Sequence, residues 1–215
     1  MSGQTRFFLA ENRYEVKEKE QMEVNVLLFD DFETMDAFGP ADILSCEKEG
    51  LHVNYLSLAG NMVNSMQGVK VWTEPLNLEQ LKGILIVPGG RGARRILQQD
   101  TELQKKIKIA AERSEFCLMI AEGAYLVAQT GLLFRRKIAA CKAGENWKRM
   151  FLAGVYEVPD ASWVADGKYY SAGTTADGLS MALTMLADQI DLDVALQTAK
   201  RLGYHWNPED EAVYQ

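Results

Sequence analysis

The sequence predicts one α/β domain built on a doubly wound, mostly parallel sheet with helices on both faces. Three observations predict it. Apolar runs of strand length recur at Met22–Asp30, Gly83–Val87 and Phe116–Ile120, the pattern of strands buried on both faces. Segments of helical period lie between and after these runs. No repeat, linker or low-complexity tract divides the 215 residues, a length one domain fills with a sizeable core.

The elements follow in order. After the first strand, Asp31 can cap the next segment, and Gly39-Pro40 punctuates it before a helical stretch at Ala41–Cys46. Leu51–Leu58 alternates as a second strand. Val63–Ser65 and Val69–Thr73, around Gln67-Gly68, predict a hairpin. The Gly83–Val87 strand ends in Pro88-Gly89-Gly90, and two amphipathic helices follow at Ala93–Gln99 and Thr101–Arg113. The Phe116–Ile120 strand runs into Glu122-Gly123 and a helix at Ala124–Thr130, closed by Gly131. A short strand at Ile138–Cys141 and a helix at Asn146–Leu152 come next. Late strands are expected at Val155–Val158 and over Trp163–Tyr170, turning at Asp166-Gly167. Helices at Ala176–Ile190 and Val194–Leu202 finish the domain, set at 22–208. Residues 209–215 are expected to form a C-terminal tail. Residues 1–21 are polar and charge-balanced, expected to be an arm, native or appended, without chemistry.

Composition narrows the function classes. Hydrophobic residues make up 47% and charged residues 25%, with a net charge of −7. That balance argues against a nucleic-acid partner, which needs a basic stripe. The clusters Arg91, Arg94, Arg95 and Arg135, Arg136, Lys137 are short enough to be solvated helix ends or turns. No apolar run approaches the roughly 20 residues of a membrane span. The Phe7–Ala10 stretch is too short for a signal peptide. Cys46, Cys117 and Cys141 show no metal or redox spacing, so a reducing cytoplasm is the expected compartment. No cofactor fingerprint and no metal-ligand cluster occurs. The acids Asp30, Asp31, Glu33 and Asp36 fit helix-start preference better than a calcium loop.

Ligands of doubly wound sheets sit at the carboxyl ends of the strands, where strand order switches. That rule singles out the loops Asp30–Pro40, Pro88–Gly92 and Ala121–Gly123. The third is the most informative. A residue at a sharp strand-to-helix turn is held strained and exposed, with backbone N–H donors beside it, the arrangement of a nucleophile elbow. Gly123 allows the turn to approach neighbouring backbone. Taken alone, the segment is also an ordinary βα turn.

Four segments in this order and spacing make it specific: FDDFETMDAFGPADIL (Phe29–Leu44), IVPGGRG (Ile86–Gly92), MIAEGAYLVAQTGLL (Met119–Leu133) and YYSAGTTADGLSMAL (Tyr169–Leu183). Together they resemble the ThiJ/PfpI superfamily, the class I glutamine-amidotransferase-like group, and within it the isonitrile hydratase-like branch. The resemblance spans about Met22 to Pro208. It implies a flavodoxin-like fold, a cysteine nucleophile at the elbow, and Asp36 as its essential acidic partner. It also implies that the Gly90 N–H and the N–H of Glu122 face a developing oxyanion, with Gly89 completing the turn. A small-molecule substrate or ligand and a homodimer are implied partners.

The departures are at the centre of the motif. Ala121 stands where the nucleophile belongs, and its methyl can neither attack nor accept a proton. Glu122 replaces the branch's threonine or the peptidases' histidine. Cys141 takes the place of a histidine that the branch shows there, with Lys142 beside it. His52 and His205 lie in neither motif, so no Cys–His or Ser–His–Asp set can be assembled. Two origins fit Ala121. An engineered cysteine-to-alanine change fits the intact Asp36, Gly89-Gly90 and Gly123. Natural loss, with the pocket kept for binding or regulation, fits Cys141 and Lys142. Cys117, inside its strand, is expected to be inert, and Cys46 to pack or lie at the surface. The sequence therefore leaves two functions: an isonitrile hydratase-like scaffold blocked at Ala121, or a non-catalytic binding or regulatory protein on the same fold.

Overall fold

In a computed structural model, residues 22–45, 51–141, 148–208 and 212–214 are described. The first strand, β1 (Met22–Leu27), leads through α1 (Thr34–Leu44) to β2 (Leu51–Ser57). The hairpin β3 (Asn61–Asn64) and β4 (Lys70–Pro75) pairs antiparallel as expected. After it come β5 (Ile84–Val87), α2 (Arg91–Gln99), α3 (Thr101–Arg113), β6 (Phe116–Ile120) and α4 (Gly123–Ala128). Short strands β7 (Lys137–Ala139) and β8 (Tyr156–Val158) precede β9 (Trp163–Asp166) and β10 (Tyr169–Ala172). The chain closes with α5 (Thr175–Gln189), α6 (Leu192–Leu202) and β11 (Ala212–Tyr214).

The sheet runs β11-β9-β10-β6-β5-β1-β2-β4-β3 among the described residues. From β10 through β4 every neighbouring pair is parallel. The three predicted central strands are thus adjacent and parallel, and each places fully buried side chains in the core. Right-handed crossovers fix the layers. The chain moves one way from β1 to β2 and the other way from β5 to β6, so α1 covers one face and α2 to α4 the other. Contacts agree: α1 packs on α5 and α5 on α6, while α2, α3 and α4 pack together. Strand order switches between β1 and β5, which places the loops after both strands at the ligand-binding end. No helix among the described residues is long and apolar enough to cross a membrane.

Several boundaries differ from the sequence expectation. Helix α1 begins at Thr34 and contains Gly39-Pro40, rather than starting after them. Burial of Ala37, Pro40, Ala41, Ile43 and Leu44 outweighs the one backbone hydrogen bond a proline removes. Asp31 does not cap this helix; Glu33 occupies the cap position, and the Asp31 carboxylate accepts from Arg95 at 3.1 Å. Among the described residues, strand β7 stays out of the main sheet and pairs with β8. Lys148–Phe151 is a 3-10 turn rather than the end of an α-helix, and α4 stops at Ala128. Ala212–Tyr214, expected in a tail, adds a strand beside β9. The arm 1–21, Cys46, Lys142 and the start of the Asn146–Leu152 segment lie outside the described residues.

Candidate functional site

The elbow is built by β6 and α4. Ala121 follows the last strand residue with φ of 48°, a left-handed backbone that a non-glycine residue adopts at a cost of about 1–2 kcal/mol. Its N–H donates to the Ala172 carbonyl of β10 at 2.9 Å, and its carbonyl accepts from Ala124 at 3.2 Å. The turn is therefore held from both sides. The methyl points to a cavity of about 570 Å³, to which Glu33, Asp36, Gly90, Glu122 and Thr175 also contribute.

Asp36, on the first turn of α1, is 1% exposed. Its Oδ1 accepts from the Thr175 hydroxyl at 2.5 Å and its Oδ2 from the Gly89 N–H at 3.1 Å. Burial pushes its carboxyl up from the ordinary 3.8 to about 6; the two hydrogen bonds pull the other way, and the Glu33 and Glu122 carboxylates push it further up. The folded chain thus holds this proton more tightly than the unfolded chain. The stabilisation is full below pH 3.8 and is lost as pH rises through about 6. Urea unfolding of Asp36→Asn checks this. The variant's advantage over the parent is expected to be larger at pH 8 than at pH 4 by about 2–3 kcal/mol, the free energy of moving a carboxyl from 3.8 to about 6. A difference that does not change with pH would remove burial as the cause.

Gly90 is where the structure departs from the sequence expectation. Its N–H, expected to face an oxyanion, donates to Glu122 Oε2 at 3.3 Å. The Glu122 side chain folds back over the strand end, so a Cβ placed on Gly89 would meet Glu122 Oε2 at 2.7 Å and Asp36 Oδ2 at 2.9 Å. Two successive amides thus carry two carboxylates of the protein itself. Gly90 has φ of 117°, and a Cβ there would sit 2.5 Å from the Asp31 carbonyl oxygen, so only glycine fits.

The remaining candidates separate from the cavity. Cys141 is 3% exposed and is hydrogen-bonded to the Tyr125 side chain of α4. The described lining of the cavity does not include it. Tyr125 also donates to Glu157 Oε1 at 3.5 Å, and burial pushes its phenol well up. Cys117 is fully buried, and its thiol is pushed up to about 12 by that burial. His52 and His205 are exposed and outside the cavity. Among the described residues, no group of three His, Cys, Asp or Glu side chains is placed to hold a metal ion.

Sequence reasoning misses Thr175, although the Gly-Thr-Thr after β10 carries a signal: hydroxyls at a strand-to-helix junction cap the helix and face the ligand end. Thr174 does the first, accepting from the Asp177 N–H at 3.2 Å. Thr175 does the second, donating to Asp36 across 139 residues of chain. Met66 and Arg94 also line the cavity, brought there by the hairpin and by α2.

The chain is 24% identical over 188 residues to an isonitrile hydratase of Pseudomonas putida, covering 85% of this chain and 78% of that protein. Its fold matches an AraC family transcriptional regulator from Pseudomonas putida with a TM-score of 0.72, at 17% identity, over 84% of this chain and 99% of that one. It also matches a cysteine-to-alanine mutant of a DJ-1 superfamily protein from Salmonella typhimurium with a TM-score of 0.71, at 23% identity, over 86% of this chain and all of that one. Residues 22–188 match the model of the DJ-1/PfpI family, and the chain belongs to that family.

Proposed function

We propose that this chain binds a small molecule in the Asp36–Ala121 cavity without forming a covalent bond to it. The observation that carries this is the elbow itself: a strained turn and an adjoining cavity are kept, yet the side chain at the turn is a methyl. No cysteine, serine or histidine is among the described residues lining the cavity. The lining hydroxyls are engaged, Thr175 with Asp36 and Thr174 with Asp177.

A second function is favoured by one specific feature. Asp36 is held by two hydrogen bonds at the pocket wall with its carboxyl raised to about 6, the condition of a residue that exchanges protons near neutral pH. This is what a hydratase-like scaffold silenced only at residue 121 would retain.

Incubating the parent chain with a small aryl isonitrile separates the two from ordinary covalent catalysis. The expected result is no formamide product and no adduct by intact mass, with saturable shifts of the Gly90, Ala121 and Thr175 amide resonances when a ligand occupies the cavity. Formamide production by the parent chain would overturn the proposal.

A further inference from the structure

We infer that Glu122 sets the ligand class of this cavity: the site takes a small molecule with a cationic, multiply donating head, an amidine, guanidine or primary ammonium, and turns carboxylates away. The inference rests on the non-covalent binding function above and names its ligand.

The strand-end amides of Gly89 and Gly90 would ordinarily be the place where an anion is held, since consecutive N–H groups form an anion-binding concavity. Here both are occupied from within, Gly89 by Asp36 Oδ2 at 3.1 Å and Gly90 by Glu122 Oε2 at 3.3 Å. An entering carboxylate meets no donor at that position and is repelled by two carboxylates beside it, a repulsive element that discriminates by itself. A donor-rich cation meets the reverse. Asp36 Oδ2 and Glu122 Oε2, the oxygens that accept from the two amides, lie side by side next to Gly89, and Glu33, which also lines the cavity, adds a third carboxylate, itself accepting from Gln67 Nε2 at 2.9 Å. Burial already raises the Asp36 carboxyl, so a nearby cation relieves a strain the fold carries. The guanidinium groups of Arg91 and Arg94 also border the cavity, but both residues are exposed on α2, and Arg91 faces the Asp31 carboxylate at 3.7 Å. Of the three carboxylates, Asp36 is buried and Glu33 and Glu122 are half-buried.

Benzamidine, benzamide and benzoate share one shape and differ in charge, so they test the inference on the full chain by amide-resolved NMR titration. Benzamidine is expected to bind at least about tenfold more tightly than benzoate, with its largest shifts at Gly89, Gly90 and Glu122. Glu122→Gln keeps an acceptor on Gly90 and removes the charge; it is expected to bring the ratio close to one. Glu122→Ala frees the Gly90 N–H and is expected to reverse the order, with benzoate now shifting Gly90. The same spectra report whether each variant is folded. Benzoate binding as tightly as benzamidine in the parent overturns the inference, as does an amidine preference that persists in both variants. Equal binding of all three probes removes charge selection but leaves non-covalent binding standing. Binding of none of them removes charge selection too, whereas formamide production in the isonitrile experiment removes the binding function itself.

Discussion

Ala121→Cys is expected to yield a sluggish thiol, with an iodoacetamide labelling midpoint at or above the ordinary thiol value of about 8.5. An elbow cysteine is usually made acidic by the helix that follows and by amides turned toward it. Here α4 is only six residues long, so its dipole is small, and the Gly90 amide is taken by Glu122. The carboxylates of Glu122 and Asp36 both oppose a thiolate at this position. Adding Glu122→Thr, the residue found here in the branch that the sequence resembles, removes one of these charges and frees the amide. A neighbouring carboxylate in a partly solvated site is worth about 1–3 kcal/mol, so the double variant is expected to label about ten times faster at pH 7. Peptide mapping separates residue 121 from the other cysteines; Cys117, with its thiol pushed up to about 12, stays unlabelled in the folded chain. Neither variant is expected to hydrate an aryl isonitrile. Turnover by the single variant would show that the scaffold is a silenced hydratase and that Glu122 is compatible with its chemistry. A labelling midpoint well below 7 would show that the elbow favours a thiolate despite its carboxylates.

The legible parts of this molecule are those written in local pattern. The Met22, Gly83 and Phe116 runs predict three adjacent parallel strands because burial on both faces leaves a continuous apolar stretch, and Thr101–Arg113 is readable to the residue from its period. The start of helix α1 is not, because Gly39-Pro40 is a local stop signal that tertiary burial overrides, and no local pattern carries that burial. At the site, Asp36 and Ala121 share one cavity, and the motif spacing points to both. What a linear reading cannot supply is side-chain direction. Whether Glu122 contributes its N–H to a ligand or its carboxylate to Gly90 depends on how its side chain folds back, and that changes the chemistry from anion-stabilising to anion-excluding. Thr175 is hidden for a related reason: its partner lies 139 residues away, and only the α1–α5 contact brings them together.

Gly123→Ala is expected to lower stability by about 3 kcal/mol or more, toward the upper end for overpacking, and the thermal midpoint by about 6–12 °C. Alanine is the better helix former at a first-turn position by about 1 kcal/mol, so propensity alone would predict a gain. Contact decides otherwise. A Cβ on Gly123 would overlap the Val87 carbonyl oxygen and lie 3.0 Å from the Pro88 carbonyl oxygen. These are backbone atoms at the end of the central strand β5, which cannot swing aside as a flexible side chain would. Relief must come from lifting the elbow off β5, which carries Ala121 and Glu122 with it and breaks the 3.3 Å bond to Gly90. Gly131→Ala is the matched control: that residue has φ of 84° and no atom within 4 Å of a Cβ, so it is expected to cost only the left-handed penalty of about 1–2 kcal/mol. Paired thermal unfolding of the two variants separates the effects. Gly123 itself is helical, so equal losses would show that close approach to β5 costs no more than a left-handed φ. A larger loss at 123, with a displaced Gly90 amide resonance, would tie the packing of the elbow to the seating of Glu122.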